Sequence, residues 1–370
     1  MKKIGRGLSK IVVQICCSVD SHYFLECLRE DFPQDEIIGF FYNPNIHPYG
    51  EYMLRLKDVE FSCKKLGIDL IDGLYDINKW YEITKGYENE PEKGNRCTIC
   101  FDDRLDVTAL KAKELKADKF TTTLLMSPLK SQEKLKIIGD KLGVQNALEF
   151  IYKDYRSGSG GINQSLAVKN NRLYRQNYCG CIYALNAQRE AQNRLCDELI
   201  SLITKQILPN SIEYRLSLFE QRDKLSDNGK EFFIKKVDFI NYRILSGLLK
   251  INKIAVPSYI LAYSYLKNQK TNAKVEFIKN STAYLNKNGI ILIAIEKFNE
   301  LTNRSYKSVK ELLTNPLSFE EEVRARREIL EDFSLSPVII VDSIKQDDAI
   351  ELALNATYFS DTKEEIEIIS

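Results

Sequence analysis

Three closely spaced pairs of cysteines constrain this chain more than any other feature: Cys16-Cys17, Cys97-x-x-Cys100 and Cys179-Gly180-Cys181. Each pair ends or follows an apolar run beside polar or cationic side chains, so the fold must bring three loops together around something that thiolates hold. Nine cysteines but only two histidines, His22 and His47, occur in 370 residues. That balance argues against His-rich zinc or iron sites and leaves thiolate as the available soft ligand. The basic start at residues 1–6 runs straight into an apolar strand without a small-residue cleavage site, and no apolar run approaches the roughly 18 residues of a membrane span. The expected address is the cytoplasm, where disulfide frameworks are rare and paired cysteines mean metal or redox chemistry.

Short apolar runs alternate with helix-period segments through the first 208 residues. Strands are expected at 9–16, 36–42, 68–71, 119–124 and 147–151, and helices at 22–32 (with Ser21 as N-cap), 50–66, 77–85, 97–116 and 132–142. This alternation predicts an α/β domain over 1–208, a parallel sheet flanked by helices. Ligands of such sheets bind beyond the carboxyl ends of the strands, where Cys16-Cys17 stand. Residues 157–161 read as a flexible loop and 182–205 as a closing amphipathic helix. Past Leu208-Pro209-Asn210, residues 209–370 read as a smaller domain, α+β or mainly helical, with strands at 273–277, 289–295 and 338–341. From residue 211 onward 23 Lys plus Arg meet 24 Asp plus Glu, so that region has no charge excess to draw nucleic acid. Between Lys153 and Arg189, by contrast, six basic residues accompany one acid, which is either a phosphate-binding patch or a solvated loop.

Cys-x-x-Cys at a helix start lets two sulfurs face one ion while the helix amides favour thiolate, a pattern shared by zinc, dithiol redox and iron–sulfur sites. The adjacent pair Cys16-Cys17 is different. Neighbouring side chains of an extended segment point to opposite sides, which suits two metal centres better than one tetrahedral zinc. Six thiols also exceed the four of a [4Fe–4S] cluster, and Asp20 offers a hard carboxylate to an additional iron. Cys27, Cys63 and Cys196 fall inside helical patterns and read as fillers, and Trp80 reads as core.

Several linked motifs carry a family resemblance over about 11–185. They are Cys16-Cys17 after a strand, Phe41-Tyr42-Asn43-Pro44-Asn45-Ile46, Glu51-Tyr52 to Arg55-Leu56, Arg96-Cys97-x-x-Cys100-Phe101-x-x-Arg104-Leu105, Phe120-Thr121-Thr122-Thr123-Leu124 and Tyr174-Arg175-Gln176-Asn177-Tyr178-Cys179-Gly180-Cys181. In these the chain resembles the cobalamin-independent epoxyqueuosine reductases of the QueH family. Many members carry a third cysteine where Asp20 stands, so this loop resembles the carboxylate branch. The resemblance leaves 211–370 uncovered. It implies an oxidoreductase that removes the epoxide oxygen of epoxyqueuosine at the tRNA wobble position, with two electrons from an external low-potential donor and two protons, the oxygen leaving as water. A [4Fe–4S] cluster is then expected on Cys17, Cys97, Cys100 and one of Cys179 and Cys181, and a mononuclear iron on Cys16 and Asp20.

Tyr174, Arg175 and Tyr178 are expected to place the modified base, donate a proton or contact phosphate, or else to pack the last helix. Tyr42, Asn43, Asn45, Arg104, Gln176 and Asn177 are the candidates for substrate binding, although Asn-Pro-Asn is also a plain turn. A more distant likeness joins Ser18-Val19-Asp20-Ser21 to the tail of the phosphate-binding loop of ATP-pyrophosphatase tRNA-thiolating enzymes. Cys16-Cys17 replace the glycines whose amides would reach pyrophosphate, which implies a PP-loop/HUP-like fold with a lost nucleotide site. Two rivals stand beside the reductase: an ATP-dependent iron–sulfur tRNA thiolase and a non-catalytic zinc-stabilised RNA-binding protein.

Overall fold

The apolar run after Ser9 is a strand, β1 (Lys10–Gln14), whose Ile11, Val12 and Val13 are fully buried because both its faces are covered. The computed structural model describes residues 9–128, 130–200, 202–287, 289–330, 332 and 334–369. The basic start at 1–6 lies outside them. On one side of β1 lie β2 (Glu36–Phe41) and then β3 (Asp69–Asp72), and on the other β4 (Lys119–Thr122) and then β5 (Glu149–Phe150), so the sheet order is β3-β2-β1-β4-β5. Every pairing in it is parallel, with Val12 opposite Ile38 on one side and Phe120 on the other. The connection reverses direction between β1 and β4. That reversal is the switch point at which doubly wound sheets bind ligands.

The flanking helices are α1 (Ser18–Asp31), α2 (Tyr49–Leu66), α3 (Ile77–Ile83), α4 (Asn95–Glu114), α5 (Gln132–Asn146), α6 (Gly160–Asn170) and α7 (Ile182–Ala191). Three differences from the sequence-based expectation bear on the site. First, α1 begins at Ser18 with Cys17 as N-cap, four residues before the predicted start, which moves Asp20 from a loop into the first turn of a helix. Second, α6 takes in the last two residues of the expected loop at 157–161 and continues through residues to which no element was assigned. Its buried positions are Gly160, Gln164 and Val168, while Ile162 and Leu166 are exposed, so no apolar stripe announces it. Third, α7 stops at Ala191, two residues before Asn193 adopts a left-handed conformation (φ 49°).

The chain forms two compact units. One holds the described residues of Met1–Cys196 with Phe219–Phe233 and Ile368–Ser370, and the other holds Asp197–Leu218 with Ile234–Glu367. The cut expected after 208 falls inside the second unit's first segment. The second unit is sheet-rich rather than mainly helical. After α8 (Ile212–Asp227) come β6 (Phe232–Ile251), β7 (Ile254–Ala255), β8 (Tyr259–Ile260), β9 (Lys270–Lys279), β10 (Thr282–Leu285), β11 (Ile291–Ala294), three helices α9 (Ile295–Thr302), α10 (Val309–Thr314) and α11 (Phe319–Ile329), then β12 (Val338–Val341) and β13 (Ala349–Ile368). Its strands run in the order β7-β6-β13-β9-β10-β11-β12-β8. Along β12, Val338 and Ile340 pack in one apolar cluster and Ile339 and Val341 in another. Successive side chains of a strand point to opposite faces, so this part of the sheet is buried on both.

Candidate metal centre

All three cysteine pairs sit at helix N-termini. Cys17 caps α1, Cys97 lies in the first turn of α4, and Cys181 caps α7 with its sulfur accepting from Ala184 N at 3.4 Å. The free amides and positive end of a helix favour thiolate there. Lys93 N adds a further donor to Cys97 Sγ at 3.3 Å.

At the carboxyl end of β1, Gln14 is fully buried and ties the strand to its neighbours: its Nε2 donates to Tyr42 O (3.1 Å) and its Oε1 accepts from Thr122 Oγ1 (2.8 Å). The next turn presents Cys16 Sγ 3.7 Å from Cys17 Sγ, 3.4 Å from Asp20 Oδ2 and 3.4 Å from Thr123 Oγ1. Ligand atoms of Cys16, Cys17 and Asp20 all lie within 4.8 Å of one another. Gln164 of α6 donates to the other Asp20 oxygen at 2.9 Å and so turns Oδ2 toward the sulfurs. The shared hydrogen bond with Cys17 lowers the Cys16 pKa to about 5, with Arg104, Thr123 and Asp20 helping against burial. The same bond and burial raise Cys17, and burial and the Cys16 charge raise Asp20.

The second set is Cys97, Cys100, Cys179 and Cys181. Cys179 and Cys181 lie 3.9 Å apart, and the bond between them together with the charge of Lys130 lowers the Cys179 pKa to about 6 against burial. Cys100 and Cys181 share an apolar cluster with Trp80, and Cys179 packs against it. Cys100, raised by burial, feels the charges of Arg104, Cys179 and Cys97, and Arg104 acts on Cys16 as well.

The loop carrying Cys179 and Cys181 is fixed by a buried bracket on α2. Arg55 donates from Nε to Glu51 Oε1 (2.7 Å), from Nη1 to Cys179 O (3.1 Å) and from Nη2 to Tyr178 O (3.0 Å). Tyr174 OH donates to Glu51 Oε2 (3.3 Å) and Tyr178 OH to His47 O (2.6 Å). Gly180 has φ 115°, and a Cβ there would lie 2.9 Å from Ile46 Cγ1, so glycine is required.

The candidate substrate residues fall into two groups. Tyr42, Asn43, Asn45, Arg104, Tyr174 and Tyr178 are buried; Asn43 accepts from Arg104 Nη2 and donates to Ile15 O, and Tyr42 OH donates to Asp103 Oδ2. Arg175 and Asn177 are exposed and Gln176 half-buried. Sequence reasoning missed the roles of Gln164, Glu51, Arg55, Thr123 and Lys130, which act on the thiols, on Asp20 or on the cysteine loop from distant segments. Glu51, Arg55 and Thr123 lay in quoted motifs; Gln164 and Lys130 did not.

Two observations test whether these residues suit a cluster and a metal. Trp80 Nε1 lies beside the Cys100 thiol without a properly formed hydrogen bond, and Arg104 Nε is likewise buried without an acceptor. A buried donor left unpaired costs about 1–3 kcal/mol, and an anionic sulfur body would relieve both. Moreover, among the described residues only Cys16, Cys17 and Asp20 converge closely enough for one ion. Cys97, Cys100, Cys179 and Cys181 form no group that close, and a multi-iron cluster takes four thiolates spaced more widely than one ion does. The residues fit.

Fold and site together define the class: a doubly wound α/β protein whose Cys16, Cys17 and Asp20 gather at the carboxyl end of its first strand. Comparison makes this particular. The family model described as Epoxyqueuosine reductase QueH matches residues 11–187. A chain named epoxyqueuosine reductase QueH from Helicobacter pylori is 39% identical over 348 residues, 90% of this chain and 94% of the relative. Its namesake from Histophilus somni is 36% identical over 197 residues, 52% of this chain and 80% of the relative. Among solved structures, the U34-tRNA thiolase NcsA from Methanococcus maripaludis with its [4Fe-4S] cluster shares 16% identity over 62% of this chain and 70% of that one, with a TM-score of 0.35, too slight a likeness to carry an argument. The chain belongs to the QueH family of epoxyqueuosine reductases. At 90% coverage the Helicobacter match extends into 209–370, which the motifs alone left out. Among the described residues no helix is long and apolar enough to cross a membrane.

Proposed function

We propose that this chain reduces the epoxide of epoxyqueuosine in tRNA to queuosine, with a [4Fe–4S] cluster on Cys97, Cys100, Cys179 and Cys181 and one further iron on Cys16, Cys17 and Asp20. The observation that carries this reading is the Cys16–Cys17–Asp20 group, its ligand atoms within 4.8 Å, next to a second thiol set in a chain of the reductase family. Cys17 goes to the iron rather than to the cluster, unlike in the sequence-based assignment, because its sulfur is 3.7 Å from that of Cys16. When bound, the two centres supply electrons, drawn from an external low-potential donor, and a Lewis acid for the epoxide oxygen.

The chain's own side chains orient and protonate. Gln164 fixes the Asp20 carboxylate, and Thr123 Oγ1, 3.4 Å from Cys16 Sγ, hands on one of the two protons that leave with the oxygen as water. Arg175 and Asn177, exposed just before the third pair, meet the anticodon loop, with Gln176 between them. Tyr174 and Tyr178 position the cysteine loop, and Tyr42, Asn43, Asn45 and Arg104 shape the floor of the site. Residues 1–208 carry the chemistry in this reading and 209–370 a role outside it. A tRNA substrate places the enzyme in the cytoplasm. The test is anaerobic incubation of iron-loaded protein with dithionite and tRNA bearing epoxyqueuosine, followed by mass spectrometry of the released nucleosides. Loss of one oxygen from the modified nucleoside is expected. Unchanged epoxyqueuosine with fully loaded protein would overturn the reading.

A further inference from the structure

A cleft of ≈ 250 Å³ opens between the starts of α4 and α5, walled by Lys93, Lys130 and Lys134 together with Thr98, Ser131 and Phe101. Lys93 comes from the loop before α4, and Lys130 and Lys134 flank the start of α5; all three line the cleft. Lys134 Nζ donates to Thr98 Oγ1 at 3.3 Å. Lys130 is the deepest, with its side chain 11% exposed, its Nζ 5.6 Å from the centre of the Phe101 ring and 3.6 Å from Glu92 Oε1. Lys93 and Lys134 are exposed. Lys93 also adopts a left-handed backbone (φ 74°), which side-chain-bearing residues rarely take, and in it the Lys93 amide points at Cys97 Sγ. The cleft therefore shares a wall with the thiol site, and the charges of Cys179 and Cys97 act on Lys130.

We propose that this cleft binds a backbone phosphate of the RNA beside the modified nucleotide; the proposal rests on the reading of this chain as a tRNA-acting reductase. The volume is below the roughly 300–1,000 Å³ of sites for drug-sized molecules but admits a tetrahedral anion. Lysine ammonium groups serve such an anion as point charges, and the first amides of α5, capped by Ser131, add partial positive charge. The basic run that stands out in the sequence is largely engaged elsewhere. Lys153 pairs with Asp31 at 2.9 Å, Arg156 donates to Ser127 O at 2.6 Å, Arg172 lies over the Phe232 ring at 4.2 Å, and Arg189 is buried. A concave cleft of this size also suits a phosphate better than the flat acidic face of an electron-donor protein.

The experiment measures binding of an anticodon stem-loop RNA to the full, metal-loaded chain over a range of KCl concentrations, for wild type, Lys93→Gln, Lys134→Gln and Lys153→Gln. The first two substitutions are expected to weaken binding several-fold and to reduce the slope of log K against log salt by about 0.7, one phosphate contact on single-stranded nucleic acid. Lys153→Gln keeps the wild-type slope. Unchanged slopes in Lys93→Gln and Lys134→Gln, with wild-type protein binding normally, would sink the proposal alone. So would an unchanged slope accompanied by poorer reduction of the protein by ferredoxin, which would assign the cleft to donor docking. Failure of the wild type to bind the RNA at all would bring down the functional reading as well.

Discussion

Asp20 sets the chemistry of the first thiol pair. One of its oxygens is fixed by Gln164 and the other faces Cys16 Sγ at 3.4 Å, an arrangement in which burial and a neighbouring negative charge disfavour the carboxylate until a cation arrives. Asp20→Ala should therefore retain the sulfide of the cluster, lose about one iron per chain and abolish epoxide reduction. Elemental analysis of iron and sulfide checks this, and full iron retention would remove the assigned role. Trp80 acts at the other set. Hydrogen bonds to cluster sulfurs stabilise the reduced state, so Trp80→Phe should move the reduction potential to more negative values in a potentiometric titration; an unmoved potential would make Trp80 packing alone. The thiols and Asp20 are legible in the sequence because their spacing is local. Trp80 was read as core, and it is buried, but no one-dimensional pattern reveals that its nitrogen ends beside Cys100 without a partner. Gln164 and Thr123 were hidden for the same reason.

The geometry of the second pair depends on α2. Arg55 and Glu51 form a buried ion pair whose remaining donors hold the carbonyls of Tyr178 and Cys179. Arg55→Met removes the cation and leaves Glu51 buried, a change expected to cost about 3–5 kcal/mol in urea denaturation and to weaken retention of iron; a loss below 1 kcal/mol would show that the bracket is dispensable. Gly180→Ala meets both a positive φ and Ile46, so it should destabilise by more than about 1 kcal/mol in the same assay. At this scale the sequence yields the existence of α1, α2, α4 and α5, whose apolar periodicity is plain, but misplaces the start of α1. Ser21 is the better capping residue by type, whereas the helix begins behind Cys17, which makes no side-chain cap. The helix α6 escaped because its buried face contains Gly160 and Gln164.

Across the whole molecule, alternation of strands and helices makes the first unit's parallel sheet readable, since each strand is a continuous apolar run. The second unit hides more. Its longest strands, β6 and β13, were missed, although Ile350, Leu352, Leu354 and Ala356 of β13 are buried at every second position and that period was there to be read. Its core also contains a carboxylate. Glu322 accepts from Gln206 Nε2 at 2.6 Å, from Tyr259 OH at 2.9 Å and from Ala262 N, and burial raises its pKa above 4.5 despite these donors. A carboxyl group whose pKa is higher folded than unfolded contributes stability below its unfolded value and loses it as pH rises through the folded one. Stability of this unit, followed by hydrogen exchange in β12, should thus fall as pH rises above 4.5, and fall less steeply in Glu322→Gln. Parallel curves for the two proteins would contradict this.

Two distinct centres on two sets of thiols are tested most directly by iron, zinc and acid-labile sulfide per chain in anaerobically purified protein. About four sulfides are expected, with iron in excess of them by about one, the excess vanishing in Asp20→Ala. One zinc and no sulfide would contradict it and leave a structural metal in its place.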